Sequence, residues 1–182
     1  MMAIFGKFAF WKSKAPPTCF SVDEIVGIVR AIAQIASNGP APLAAVSACV
    51  AHDDERLMSL LRALENVELV EFAGDEVVLT PAGFRFADSS ALQRKAILAD
   101  HLMKNVAWVR FVGERIVGHG ERGAPFAEIA WELRGKYPRI NIDREVRQLV
   151  GLARYAGLWR YDERKGLVSV NMTETRATRP PS

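Results

Sequence analysis

The stretch Val67-Glu68-Leu69-Val70-Glu71-Phe72-Ala73-Gly74-Asp75-Glu76-Val77-Val78-Leu79-Thr80-Pro81 is where the apolar pattern of this chain changes period. Val67–Phe72 and Glu76–Thr80 read as two strands, because β-branched and aromatic residues fill short runs bounded by turn formers. Ala73-Gly74-Asp75 supplies the turn between them. Thr80-Pro81 then sets a capping hydroxyl before a proline at the first helical position, so a helix resumes through Phe84 and Phe86.

Everything upstream follows helical spacing. Ser21 and Glu24 stand three residues apart, the separation at which each side chain satisfies the other's free backbone N–H. Ile25, Ile28, Val29, Ile32 and Ile35 then recur on one face until Asn38-Gly39-Pro40 stops the run. A short helix is expected over Leu43–Val50. A third begins near Asp53 and aligns Leu57, Leu60, Leu61 and Leu64. Three helices followed by a hairpin is the element order of a winged helix-turn-helix.

Downstream the order returns. A long helical stretch runs from Ser90 to Val117 with a break expected near Asn105. Gly118 to Gly123 reads as a loop, and Pro125–Tyr137 as a helix stopped by Pro138. Asp143–Ala156 is a further helix, with Val146, Leu149, Val150 and Ala153 inward and Gly157 as its terminating glycine. Leu158–Tyr161 and Leu167–Asn171 form a second hairpin around Asp162–Gly166. Leu69-Val70-Glu71-Phe72 matches Leu158-Trp159-Arg160-Tyr161, and Val78-Leu79-Thr80 matches Leu167-Val168-Ser169, both at an offset of 89. The expected fold is mainly α with small β-hairpins, an α+β chain of tandem winged helix-turn-helix units. Its expected divisions are an apolar, basic arm at 1–20, a first unit at 21–90, a second at 91–171 and a disordered tail at 172–182.

With 182 residues, 49% hydrophobic and 25% charged, the chain falls outside the disordered and fibrous classes. Its net charge of +3 conceals a division: residues 21–90 carry net −7 and residues 91–182 carry net +7. Cys19 and Cys49 give no disulfide framework, which fits a reducing compartment. No apolar run reaches the roughly 18–20 residues of a spanning helix. A cytoplasmic location is expected, with attachment of the arm to the inner-membrane surface left open.

No constellation supports catalysis, a metal or a cofactor. His52-Asp53-Asp54-Glu55 sets an imidazole beside three carboxylates, but acids at a helix start complement the helix dipole and cap its N–H groups. His101 and His119 lack a histidine one turn away. Ser89-Ser90 lacks the strand–turn–helix setting of a nucleophile elbow. Cys49 is expected to pack as a small hydrophobe, and Trp108, Trp131 and Trp159 to lie in the core.

Two surfaces remain. On a helical wheel Arg144, Arg147, Gln148 and Arg154 fall together, and Arg160, Arg164 and Lys165 of the second hairpin can add phosphate or partner contacts. Asp143, Glu145, Asp162 and Glu163 dilute that field. In the arm, Ile4, Phe5, Phe8, Phe10 and Trp11 offer a large apolar area beside Lys7, Lys12 and Lys14. Such a patch suits a partner, a membrane interface, a second copy of the chain or the chain's own surface.

Leu79 to Ala87 resembles the strand-to-helix junction after the wing of many winged-helix proteins. Gln93-Arg94-Lys95, His101-Leu102, Asn105-Val106, Ala124-Pro125-Phe126 and Ala153–Asp162 together resemble one domain, the AAA-associated C-terminal domain behind the ATPase of nitrate/sulfonate/taurine-type ABC transporters. Arg154-Tyr155-Ala156, Leu158 and Tyr161-Asp162 are its most specific part, and the resemblance covers roughly Ser21 to Asn171. The sequence departs from that setting in having no G-x-x-x-x-G-K-[ST] loop to wrap a phosphate. The resemblance implies a non-enzymatic accessory module that regulates or scaffolds an ABC-type ATPase or transporter subunit. A DNA-binding regulator using the second unit is the competing class. A small-molecule sensor remains open, with no residue that identifies a ligand.

Overall fold

The computed structural model describes residues 21–36, 39–50, 53–138 and 141–171. The arm at 1–20 and the tail at 172–182 lie outside the described residues. The chain is mostly helical, with two small antiparallel sheets of three strands each.

Helix α1 spans Val22–Ile35, and its start is the reciprocal cap expected of Ser21 and Glu24. The Glu24 N–H donates to Ser21 Oγ (3.2 Å), and the Ser21 N–H donates to Glu24 Oε2 (2.7 Å). Such a cap contributes about 1 kcal/mol. Strand β1 (Ala41–Pro42), α2 (Leu43–Cys49) and α3 (Asp54–Asn66) follow, then the hairpin of β2 (Val70–Ala73) and β3 (Glu76–Leu79). Helix α4 (Pro81–Asp88) is capped by Thr80, whose Oγ1 accepts from the Gly83 N–H (3.0 Å) and donates to the Glu68 carbonyl (2.6 Å).

The expected long helix is broken at Val106 into α5 (Ala91–Asn105) and α6 (Ala107–Gly118). Arg110 Nη1 donates to the Met103 (3.3 Å) and Lys104 (2.6 Å) carbonyls at the end of α5, which the break leaves without helical partners. Beyond a short 3-10 turn at Gly120–Arg122 come β4 (Ala124–Pro125), α7 (Phe126–Lys136) and α8 (Ile142–Tyr155). The hairpin of β5 (Trp159–Asp162) and β6 (Leu167–Val170) completes the described chain.

The order helix, strand, helix, helix, strand, strand therefore occurs twice, at α1–β3 and at α6–β6, with α4 and α5 between. Strand order is β1-β3-β2 in one sheet and β4-β6-β5 in the other. The correspondence extends to single bonds. The Leu69 N–H donates to the Leu64 carbonyl and the Leu158 N–H to the Ala153 carbonyl, both at 2.9 Å. The Leu43 N–H meets the Asp75 carbonyl as the Phe126 N–H meets the Gly166 carbonyl.

Several boundaries differ from the sequence reading, each for a local reason. Val67–Leu69 are not strand: Glu68 takes a left-handed conformation (φ 57°) that closes α3, and pairing starts at Val70. The offset of 89 holds for β2 and β5 but not for the second strand of each hairpin. Val77 pairs with Ala41 and Phe72, and Val168 with Ala124 and Tyr161, an offset of 91. The second turn carries four residues, 163–166, where the first carries Gly74 and Asp75 alone, so the partner strand is displaced by two. The edge strands β1 and β4 were not expected at all. A proline ends each after two residues, since it has no N–H to continue a ladder.

One core runs through both repeats, from Ile28 and Ile32 through Phe86, Leu98 and Leu102 to Val112, Val146 and Val168. Trp108 and Trp159 are buried in it as expected. Trp131 is not: it is 71% exposed, because Ile129, Ala130 and Leu133 turn the opposite face of α7 inward. Cys49 is exposed as well, since α2 buries Val46 alone.

Candidate functional site

Helix α8 begins at Asn141, whose Oδ1 accepts from the Arg144 N–H at 3.3 Å. It buries Ile142, Val146, Leu149, Val150 and Ala153, which leaves Arg144, Arg147, Gly151 and Arg154 exposed one or two turns apart on its outer face. Gln148 lies half-buried at the edge of that face. The arginine stripe read from the sequence thus exists as one surface.

Of the acids expected to dilute it, the two on α8 are turned aside, whereas Glu163 of the second hairpin lines the same groove as Arg147 and Arg154. Glu145 is buried, 7% exposed, on the inner side of the helix. Asp143 is held by Arg134 of α7, whose Nη2 lies 2.6 and 2.7 Å from its two carboxylate oxygens. Between α8 and the β5–β6 hairpin runs a groove of about 470 Å³, lined by Arg147, Val150, Gly151, Arg154, Tyr161 and Glu163. The Tyr161 ring of its lining lies 5.8 Å from the Phe126 ring, and the Arg147 guanidinium sits 5.8 Å above Phe126. Arginine over an aromatic face is both an attractive pair and an ordered donor to a ligand.

The hairpin residues divide. Arg160 alternates with Tyr161 along β5 and lies on the other side, beside Ile116, Val117 and Ser169, with its Nε donating to Asn171 Oδ1 at 3.0 Å. Arg164 and Lys165 occupy the turn, where their backbone N–H groups donate to Asp162 Oδ1 at 3.0 and 3.1 Å. The Lys165 ammonium lies 3.9 Å from Asp162 Oδ2. Arg144, Arg147 and Arg154 therefore share a face that Arg160 does not join. Ile4, Phe5, Phe8, Phe10 and Trp11 lie outside the described residues.

The first repeat presents a different surface. Asp53 caps α3 through the Arg56 N–H (2.8 Å), and Asp54 accepts from Ser47 Oγ (2.7 Å). His52 lies outside the described residues. Arg56 also donates to Glu24 Oε1, through Nε at 3.0 Å and Nη2 at 2.5 Å. Burial alone would raise the Glu24 carboxyl, but the bonds from Arg56 and Ser21 outweigh it and hold the group below its ordinary value. Glu68 is lowered by its bond from Lys104 Nζ (3.1 Å) against partial burial, with Asn105 and His101 assisting. That group ties α5 to the first hairpin. His119 meets Glu128 at 3.0 Å, and among the described residues no three His, Cys, Asp or Glu side chains converge on a metal-sized site.

Two features escaped the sequence reading. Trp131 and Arg134 lie on the outer face of α7, and a wheel of that helix alone would have set Trp131 opposite Ile129 and Leu133. An apolar groove beside α6 has no simple sequence signature.

The class so defined is an α+β protein that repeats one six-element order and carries an arginine-lined face on the third helix of its second repeat. A family model described as the C-terminal AAA-associated domain matches residues 45–162, from within α2 to the end of β5. The chain belongs to the C-terminal AAA-associated domain family, which relates it to an accessory domain of ABC-type ATPases. No curated protein and no solved structure matches it. No helix among the described residues is long and apolar enough to cross a membrane.

Proposed function

We propose that the chain is a non-catalytic accessory module of two winged-helix units, which binds a partner protein such as the nucleotide-binding subunit of an ABC-type transporter on the cytoplasmic side. The family match over residues 45–162 carries this reading. The twice-repeated element order supports the winged-helix assignment. Exposed Trp131 and the arginines of α8 support a protein interface, because Trp and Arg are the residues such interfaces concentrate. Isolation of the tagged chain from native cells tests it. An ABC-type ATPase subunit is expected in stoichiometric amount, and its absence would count decisively against the reading.

One observation favours a second reading. Helix α8 is the third helix of its repeat, the element a winged helix sets in the DNA major groove, and its acids are turned away from the arginine face. Duplex affinity that falls steeply with salt and is lost in Arg147→Glu would support DNA binding; a flat response would exclude it.

A further inference from the structure

In the first repeat the chain leaving β3 turns into α4, which packs on α1 and β3 with Ala82, Gly83, Phe86 and Ala87 buried. The approach is close. A Cβ on Gly83 would come within 2.0 Å of the Leu69 carbonyl oxygen and 3.2 Å of Leu79 Cδ2. The ladders equate Leu69 with Leu158, Val70 with Trp159 and Leu79 with Val170. The buried trios Ile25, Ile28, Ile32 and Val109, Val112, Ile116 have the same spacing on α1 and α6. That phase sets Val29 against Gly113 and Ala33 against Val117.

The surface equivalent to the seat of α4 can thus be named in the second repeat. Gly113, Val117, Leu158, Trp159 and Val170 line, with Met103, one apolar groove of about 670 Å³. Ala33 is half-buried and Leu79 is 3% exposed in the first repeat, whereas their counterparts Val117 and Val170 are 72% and 38% exposed, with Met103 at 40%. Counted from β6 as α4 is counted from β3, the following residues are Thr173, Glu174, Ala177 and Thr178 in place of Ala82, Gly83, Phe86 and Ala87. Glutamate stands where the closest contact needs glycine, and alanine stands where the aromatic anchor belongs. Those residues do not repeat the α4 sequence.

We propose that this groove receives a two-turn amphipathic helix of the partner protein. Such a helix would set a small residue against Leu158, an aromatic anchor three residues later, and a basic side chain toward the rim. Helix-in-groove recognition reads anchors at this spacing. The rim carries one charge of each sign: Arg110 is held by the Met103 and Lys104 carbonyls, while Glu114 makes no ion pair among the described residues and is the acid such a basic side chain would meet. The inference rests on the protein-partner reading given above and adds the place and chemistry of docking.

A graft tests it. Three forms are compared: the full chain, a variant with residues 172–182 replaced by the Pro81–Asp88 sequence, and the same graft carrying Phe86→Asp in the copied segment. The graft is expected to raise Tm by roughly 2–4 °C and to reduce retention of the ATPase subunit at least tenfold. The aspartate version is expected to behave as the full chain does. Grafts that melt together, or a graft that retains the subunit undiminished, would overturn the proposal. Deleting residues 1–20 should leave Tm and hydrophobic-dye binding unchanged; a fall in Tm with a rise in dye binding would make the arm the occupant and overturn the partner assignment. A full chain that retains no ATPase subunit fails the functional reading instead, and the melting shift of the graft still judges the groove.

Discussion

Glu68 and Gly157 hold the same place in the two repeats, the left-handed residue that ends a helix and starts a hairpin. The glycine was legible in the sequence and the glutamate was not, because nothing local announces a left-handed glutamate. Its bonds to Lys104 and the Thr80 hydroxyl stabilise a conformation that costs about 1 kcal/mol without them. Two glycines separate space from propensity. Gly83→Ala should destabilise by about 2 kcal/mol or more, since the new methyl would collide with the Leu69 carbonyl. Gly113→Ala meets nothing within 4 Å and should stabilise by about 1 kcal/mol through helix propensity. Urea melts of both variants check the opposite signs. Glu24 gives a pH test. Its folded pKa is depressed, so its contribution is complete above the unfolded value near 4.5 and is lost as pH falls through the lower folded value. Glu24→Gln keeps the cap but removes the Arg56 pair, whose partner is substantially exposed. It should cost about 0.5–1 kcal/mol at pH 7 after solvent screening, and the gap from wild type should narrow as pH falls below the unfolded value and vanish below the lower folded one.

At the scale of elements, helices were readable wherever caps and periodicity agreed, as at Ser21, Asp53, Thr80 and Ser90. The edge strands were missed because a two-residue strand has no period. The available signal was a repeat instead: Ala41-Pro42-Leu43-Ala44 and Ala124-Pro125-Phe126-Ala127 begin the same strand-to-helix step. The second hairpin was misaligned because turn length, not strand pattern, sets the offset of the returning strand. For the candidate site, the arginine stripe of α8 followed from the wheel, but the separation of Arg160 required the pleat of β5. Trp131 was expected at an apolar position of its helix, but the phase of Ile129, Ala130 and Leu133 sets it on the opposite face. Since it touches the core so little, Trp131→Ala should shift stability by less than about 0.5 kcal/mol, yet weaken retention of the partner several-fold. Thermal melts alongside the co-isolation assay separate the two effects.

At the scale of the whole molecule, the charge division seen in the sequence becomes a difference between faces. The acidic first unit meets the basic second through Glu68, Lys104 and His101, and a common core passes between them. The arginines of α8 are not consumed by that contact; they remain exposed beside an aromatic groove. Family membership relates the domain that carries this surface to ABC-type ATPases. Among the described residues, one half covers its apolar seat with α4 while the equivalent surface of the other is a groove. The most direct measurement is quantitative co-isolation of the tagged full chain from native cells. An ABC-type nucleotide-binding subunit at one-to-one stoichiometry, reduced by Trp131→Ala, is the predicted result. A preparation with no ATPase subunit, from a chain whose duplex affinity falls steeply with salt and vanishes in Arg147→Glu, would contradict it.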